Sequence, residues 1–287
     1  MKGDFTRDTF RPQRHFSSVL MQQGRVQLDA DWNEVEDIRL YRGRVQGKDV
    51  VGGCGAPDAN PGFEISFGTA FRIGQGRYYV DGILCENDAD VDFAAQPDFP
   101  GQADPASGSQ LFYLDVWEEH VTALEDPYLR EVALNGPDTT TRRRVVWQVK
   151  AAALPAGIST CEAALATLAG PTDARLQARA RTLDNTEACT VKPGANYKRL
   201  ENQLYRLEVH QGGTLANATF KWSRDNGTVA TLLEIAGART LTVESVGRDQ
   251  MLSFAGGQWV EITDRRRELL SLPGDFFQVV RVEGSQL

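Results

Sequence analysis

The sequence predicts a mainly β protein with an N-terminal α-helix, built as two β-sandwich or barrel-like modules joined by an irregular, partly helical linker. Three observations carry this. Short apolar runs with period two recur from Phe63 to Lys150 and again from Asn202 onward. Glycine-rich turn signals separate them at intervals of roughly ten residues. Only the stretch that starts at Asp31 keeps a helical period long enough for a substantial helix. The expected order is an arm plus helix over 1–52, a first β domain over 60–151, a linker or insertion over 152–195, and a second β domain over 196–287.

Residues 1–28 read as an extended arm. Phe5, Phe10, Phe16, Val19 and Leu20 lack a period and are interrupted by charge and by Pro12. Such side chains need a surface, either the body of the chain or another subunit. In the helix, Asp31 is the expected N-cap, with Glu34 three residues on. Trp32, Val35, Ile38, Tyr41 and Val45 form one apolar face, Arg39, Arg42, Arg44 and Lys48 suit the C-terminal half of the dipole, and Gly52-Gly53 ends it.

The first β region has an alternating Phe63–Phe67 run. Tyr78–Val80 and Ile83-Leu84 flank Asp81-Gly82, a hairpin-turn dipeptide. Strands follow at Leu111–Trp117 and Arg144–Ala151, and residues 94–109, rich in Pro, Gly, Ala and Ser, read as an exposed loop. The linker is Ala- and Thr-rich, with short helical potential at Cys161–Leu168 and Asp173–Arg181. In the second β region, strands are expected at Leu204–Val209, Phe220–Trp222, Thr228–Ile235, Leu241–Val243, Trp259–Ile262 and Phe276–Val282, with Ser223–Gly227 as a turn.

Charge narrows the function. The chain carries a net −8, a sign that argues against broad nucleic-acid binding. Between Asp81 and Asp138 stand 14 acidic residues and one arginine, a net of −13 that leaves +5 for the rest. Such asymmetry fits docking to a basic neighbour, and equally a solvated loop region. No apolar run is long enough to span a bilayer, and the N-terminus lacks the apolar core of a signal peptide. Synthesis in the bacterial cytoplasm is therefore expected, with later release as part of a particle left open.

No chemistry declares itself. Cys54, Cys85, Cys161 and Cys189 form no CxxC pair, and His15, His120 and His210 are not spaced with them for zinc. Cys161 and Cys189 flank one irregular segment and could meet, although reduced thiols are the expectation in the cytoplasm. There is no GxSxG elbow. Gly74-Gln75-Gly76 precedes a strand, whereas phosphate binding needs a helix N-terminus. Asp29-Ala30-Asp31-Trp32-Asn33 opens like a calcium loop, but Glu34 and Leu40 stand where Gly and Glu are required. Glu118 and Glu119 could be one half of a carboxylate pair, yet no partner is visible, and adjacent acids at a strand end are usually solvated. His210 sits at a strand end. Trp222, Arg224, Asp225 and Asn226 could recognise a glycan or a neighbouring subunit, or simply form a turn. No catalytic, cofactor or metal residues are expected.

The runs MKGDFTRDTF, HFSSVLMQQGRVQLDADWNE, GRYYVDGILCEN, FYLDVWEEHVTALEDPYLREVAL, RRVVWQVK, LENQLYRLEVH, FKWSRDNG and GQWVEI span nearly the whole chain. In these the chain resembles an uncharacterised family encoded beside the baseplate and tail genes of phage-tail-like contractile injection systems. The resemblance implies a structural baseplate or tail-fibre anchoring component, present in several copies or as a homo-oligomer among other tail subunits. A receptor- or glycan-binding tail protein is the alternative, and a polysaccharide-cleaving spike a further one. Candidate interface residues are Phe5, Phe10, Phe16, Leu20 and Trp32 of the arm and helix, Glu118 and Glu119 of the acidic stretch, and Trp222, Arg224 and Asp225.

Overall fold

The computed structural model describes residues 2–105, 107–168, 204–237, 239–249 and 251–287. Among these residues the one long helix, α1, spans Asp29–Val51. It starts ahead of the expected position. Leu28 is the N-cap, and Asp31, expected there, is the third helical residue, its carboxylate accepting the Leu28 N–H at 3.3 Å. The inward face is displaced too. Ala30 and Ile38 are buried, whereas Trp32, Tyr41 and Val45, expected beside Ile38, are exposed. The C-terminal half of the helix is seated by close approach. A Cβ on Gly47 would lie 3.2 Å from the Gly82 Cα, so the helix rests its backbone on the Asp81-Gly82 turn there.

The turn itself is as expected, with Asp81 and Gly82 both at positive φ between strands β4 (Gly76–Val80) and β5 (Ile83–Asn87). Strand β1 (Cys54–Gly55) pairs with β4, making a three-stranded antiparallel sheet. A second three-stranded sheet joins β2 (Ile65–Phe67), β3 (Phe71–Ile73) and β6 (Val91–Asp92). The two long strands, β9 (Gln110–Val121) and β10 (Arg142–Ala153), pair along their full length, from Gln110↔Ala153 to Val121↔Arg142.

The core lies where these sheets meet the long hairpin. Ile73, Cys85, Phe93, Trp147 and Val149 are buried together, with Phe63, Phe71 and Phe112 packed around them. Trp147 meets Phe63 edge-on at 4.9 Å and donates its indole N–H to the Glu86 carbonyl at 2.9 Å, so the buried ring keeps its polar atom satisfied. Burial pushes the Cys85 thiol up to about 11, leaving it an inert core group. Burial, and then the Cys54 thiol beside it, raise Tyr78 to about 12.

The segment 94–109 is not simply an exposed loop. It holds β7 (Ala95–Gln96) and β8 (Phe99–Pro100), and Gln96 is fully buried. Its amide donates to the Phe93 and Val149 carbonyls at 3.0 and 2.9 Å and accepts the Val149 N–H at 2.7 Å. A polar residue is affordable inside only when every such atom is paired, and here one side chain closes a strand edge.

Beyond the short helix α2 (Cys161–Leu165), the described chain resumes as two-stranded antiparallel ribbons: β11 (Arg206–Gln211) with β12 (Thr219–Ser223), β13 (Leu233–Ala236) with β14 (Leu241–Val243), and β15 (Trp259–Ile262) with β16 (Asp275–Gln278). The last strand thus ends at Gln278, short of the expected Val282. An unexpected helix, α3 (Arg265–Leu269), is capped by Asp264, which accepts the Arg267 N–H at 2.8 Å. Gln148 ties it to the hairpin, donating to the Leu269 carbonyl at 3.0 Å and the Asp98 carbonyl at 2.8 Å. The protein is mainly β with one long N-terminal helix, and among the described residues no sheet closes into a barrel. The helix expected at 173–181 and the partner thiol Cys189 lie outside the described residues, and Cys161 is an exposed free cysteine.

Candidate functional site

The N-terminal arm divides into two parts. Its first residues are fastened to the body. Gly3 donates its N–H to the Asn226 carbonyl at 3.3 Å, and the Asn226 side-chain amide donates back to the Gly3 carbonyl at 3.1 Å. Phe5 lies against the His120 ring at 6.1 Å. The Thr6 N–H donates to the Asp29 carboxylate at 2.9 Å, the Thr9 hydroxyl to Glu34 at 2.5 Å, and the Phe10 ring meets Tyr41 at 5.7 Å. Hydrogen bonding from Thr6 holds the Asp29 carboxyl below its ordinary value. The arm therefore bridges the last ribbons, the hairpin and α1.

Residues 11–28, by contrast, form a lasso held at both ends. Phe16 is half exposed beneath the Arg14 guanidinium, and Leu20 and Val26 are 82 % and 84 % exposed. Met21 and Leu28 are open as well, and Trp32 is exposed in the first turn of α1 that follows. So Phe5 and Phe10 serve the fold, while Phe16, Leu20 and Trp32 stand in solvent.

Seven of the fourteen acidic residues of this stretch are paired within the chain. Glu118 pairs with Arg44 of α1. Glu119, only 12 % exposed, is held by Arg144 at 2.8 Å and by Arg265 of α3, and both arginines also reach Asp98, at 3.6 and 2.9 Å. Asp81 pairs with Lys48, Asp92 with Arg72, Asp115 with Lys150 and Asp138 with Arg248. Seven cations from outside the stretch thus face it internally. The expectation that Glu118 and Glu119 are solvated does not hold. The strand end that bears them is the junction where helix, hairpin and α3 converge.

That junction borders a cavity of about 500 Å³, lined among others by Trp117, His120, Arg206, Lys221, Glu261 and Glu268. Lys221 pairs with Glu261 at 2.6 Å and Arg206 with Glu208 at 2.6 Å. Burial raises the Glu268 carboxyl above its ordinary value, with Glu125, Glu261 and Asp264 adding repulsion. Burial lowers His120, with Arg206 and Lys2 acting in the same sense. Both shifts are mainly desolvation, the expected effect of a seam between packed elements on any titratable group. Among the described residues no three His, Cys, Asp or Glu side chains gather as metal ligands.

The Trp222–Asn226 run ends in a tight turn with Asp225 and Asn226 both left-handed. Arg224 and Asp225 are partly covered, and Asn226, buried, receives the arm. Sequence inspection marks this run as unusual but misses Asn226 as the arm's receptor, because its partner is Gly3, 223 residues away. Trp222 points outward from β12 and is exposed.

Over residues 1–182 and 155–282 the chain matches the model of a family of unknown function, DUF6519. No curated protein and no solved structure matches it.

Proposed function

We propose that this chain, which belongs to the DUF6519 family, is a structural subunit that docks into a larger assembly through its N-terminal lasso and the exposed Trp32 at the start of α1. The observation that carries this is the contrast within the arm. Residues 3–10 are hydrogen-bonded and stacked on the body, whereas Phe16, Leu20, Met21 and Val26 are held out in water. Large exposed apolar patches mark interaction surfaces. A loop fixed at both ends loses little freedom on docking, which favours affinity.

The assembly we assign is a phage-tail-like contractile injection machine, with the chain as a baseplate or tail-fibre anchoring component present in several copies. Support for the machine comes from the motif resemblance given above. The net charge of −8 fits a protein partner better than nucleic acid. No helix among the described residues is long and apolar enough to cross a membrane. In this reading the chain is made in the cytoplasm, joins the particle, leaves with it, and catalyses no reaction. The two β modules, 60–151 and 196–287, act as a spacer, and the second acquires a sandwich-like facing layer on association.

The test is a Leu20→Glu/Val26→Glu variant expressed in the producing cell. Particles are sedimented and probed for the chain, and the purified variant is melted beside wild type. Unchanged melting with loss from the particles is expected. Variant chain at wild-type level in the particles refutes the docking surface, and particles that lack even the wild-type chain refute the assigned machine.

A further inference from the structure

The ribbon β11–β12 is built inside out. Its polar residues point inward to the seam, where Arg206 pairs with Glu208 and Lys221 with Glu261. Its apolar residues point outward. Leu207, Val209, Phe220 and Trp222 are 45 to 61 % exposed. The register sets Leu207 opposite Trp222 and Val209 opposite Phe220, so the outer face carries an aliphatic row on β11 beside an aromatic row on β12. A two-stranded ribbon is marginal alone and needs a layer against its apolar face.

We infer that this face is a homomeric interface, in which the ribbons of two copies of the chain stack face to face. Three features choose a second copy as the occupant. The face bears no charge, because the ribbon's ions are consumed on its other side, so it meets itself without like-charge repulsion. The rows are self-complementary. A two-fold axis along the strands lays the aromatic row of one copy on the aliphatic row of the other, the large-on-small arrangement that fills a layer between sheets about 10 Å apart. A two-fold interface uses one patch twice, so a single such face suffices for both partners. The four side chains offer roughly 400–500 Å² of exposed surface, about half of the roughly 800 Å² per partner of a stable interface, which suits an apolar centre within a polar rim. The inference rests on the ribbon and is independent of docking through the lasso.

The test uses the full chain. Sedimentation velocity at low and high micromolar concentration should show a species of twice the 31.7 kDa chain mass or a higher even multiple. A Phe220→Glu/Trp222→Glu variant should lose that species and run at the single-chain mass, while Leu20→Glu/Val26→Glu should keep it. Because the ribbon variant can misfold, hydrogen exchange of the unaltered chain is measured at both concentrations. Amides of 206–211 and 219–223 should be protected several-fold more at high concentration. A wild-type chain that stays monomeric, a folded ribbon variant that keeps the dimer, or ribbon protection independent of concentration, as when the chain itself or another molecule covers the face, overturns the inference.

Discussion

Gly82→Ala tests how α1 is seated. Gly82 lies at φ +77, where an L side chain is strained, at a cost of about 1–2 kcal/mol. The added Cβ would also stand 2.3 Å from the Arg44 carbonyl oxygen and 2.8 Å from its Cα. Ordinary contact begins near 3.4 Å, so the helix has to retreat by about 1 Å in a densely packed contact. Overpacking of that kind costs a further 1–3 kcal/mol or so. The retreat loosens Arg44–Glu118 and the Lys48–Asp81 pair at 2.7 Å. The expected total is about 2–5 kcal/mol. Gly101→Ala is the matched control, because Gly101 has φ +78 and nothing within 4 Å of its added Cβ. It should lose only the strain, about 1–2 kcal/mol. Urea unfolding of both full-length variants gives the comparison. Losses equal within about 0.5 kcal/mol would show that α1 does not bear on the turn.

Three further outcomes follow from the site. Trp32→Ala should cost under about 1 kcal/mol of stability, since that ring is 57 % exposed, whereas a buried aromatic would cost about 3–5, and melting of the purified chain separates these. Glu119→Gln leaves the partly exposed Arg144 and Arg265 sharing Asp98 alone and should cost about 1–2 kcal/mol, while Glu36→Gln, which breaks an exposed helix pair with Arg39, should stay within about 0.5, both read from urea midpoints. Glu268→Gln should stabilise the fold at neutral pH. Because its carboxyl is raised in the fold, the native state binds more protons than the unfolded one above the ordinary glutamate range, so stability falls there as pH rises, and the gain from the variant should vanish in acid below that range.

Local pattern determined a good deal of this protein. The Asp81-Gly82 hairpin, the strands around Leu111–Trp117 and Arg144–Ala151, the helix after the arm and the turn at Ser223–Gly227 were legible, because each follows from period or turn chemistry within a few residues. Tertiary contact decided what those elements face. A backbone approach at Gly47 and Gly82 seated the helix on the hairpin turn, Trp32 was left exposed despite the helical pattern, and Gln96 became a core residue by pairing with Val149, 53 residues away. The alternation of Leu207 and Val209 with Arg206 and Glu208 is visible in the sequence, but period two does not say which face is inside. Here the charged face turned inward because Glu261 supplied a partner for Lys221 on that same side, and the fastening of the arm's first residues depended on Asn226, 223 residues from Gly3. Propensity acts over neighbours in sequence, whereas ion pairing and close packing act between surfaces that meet only once the chain has folded.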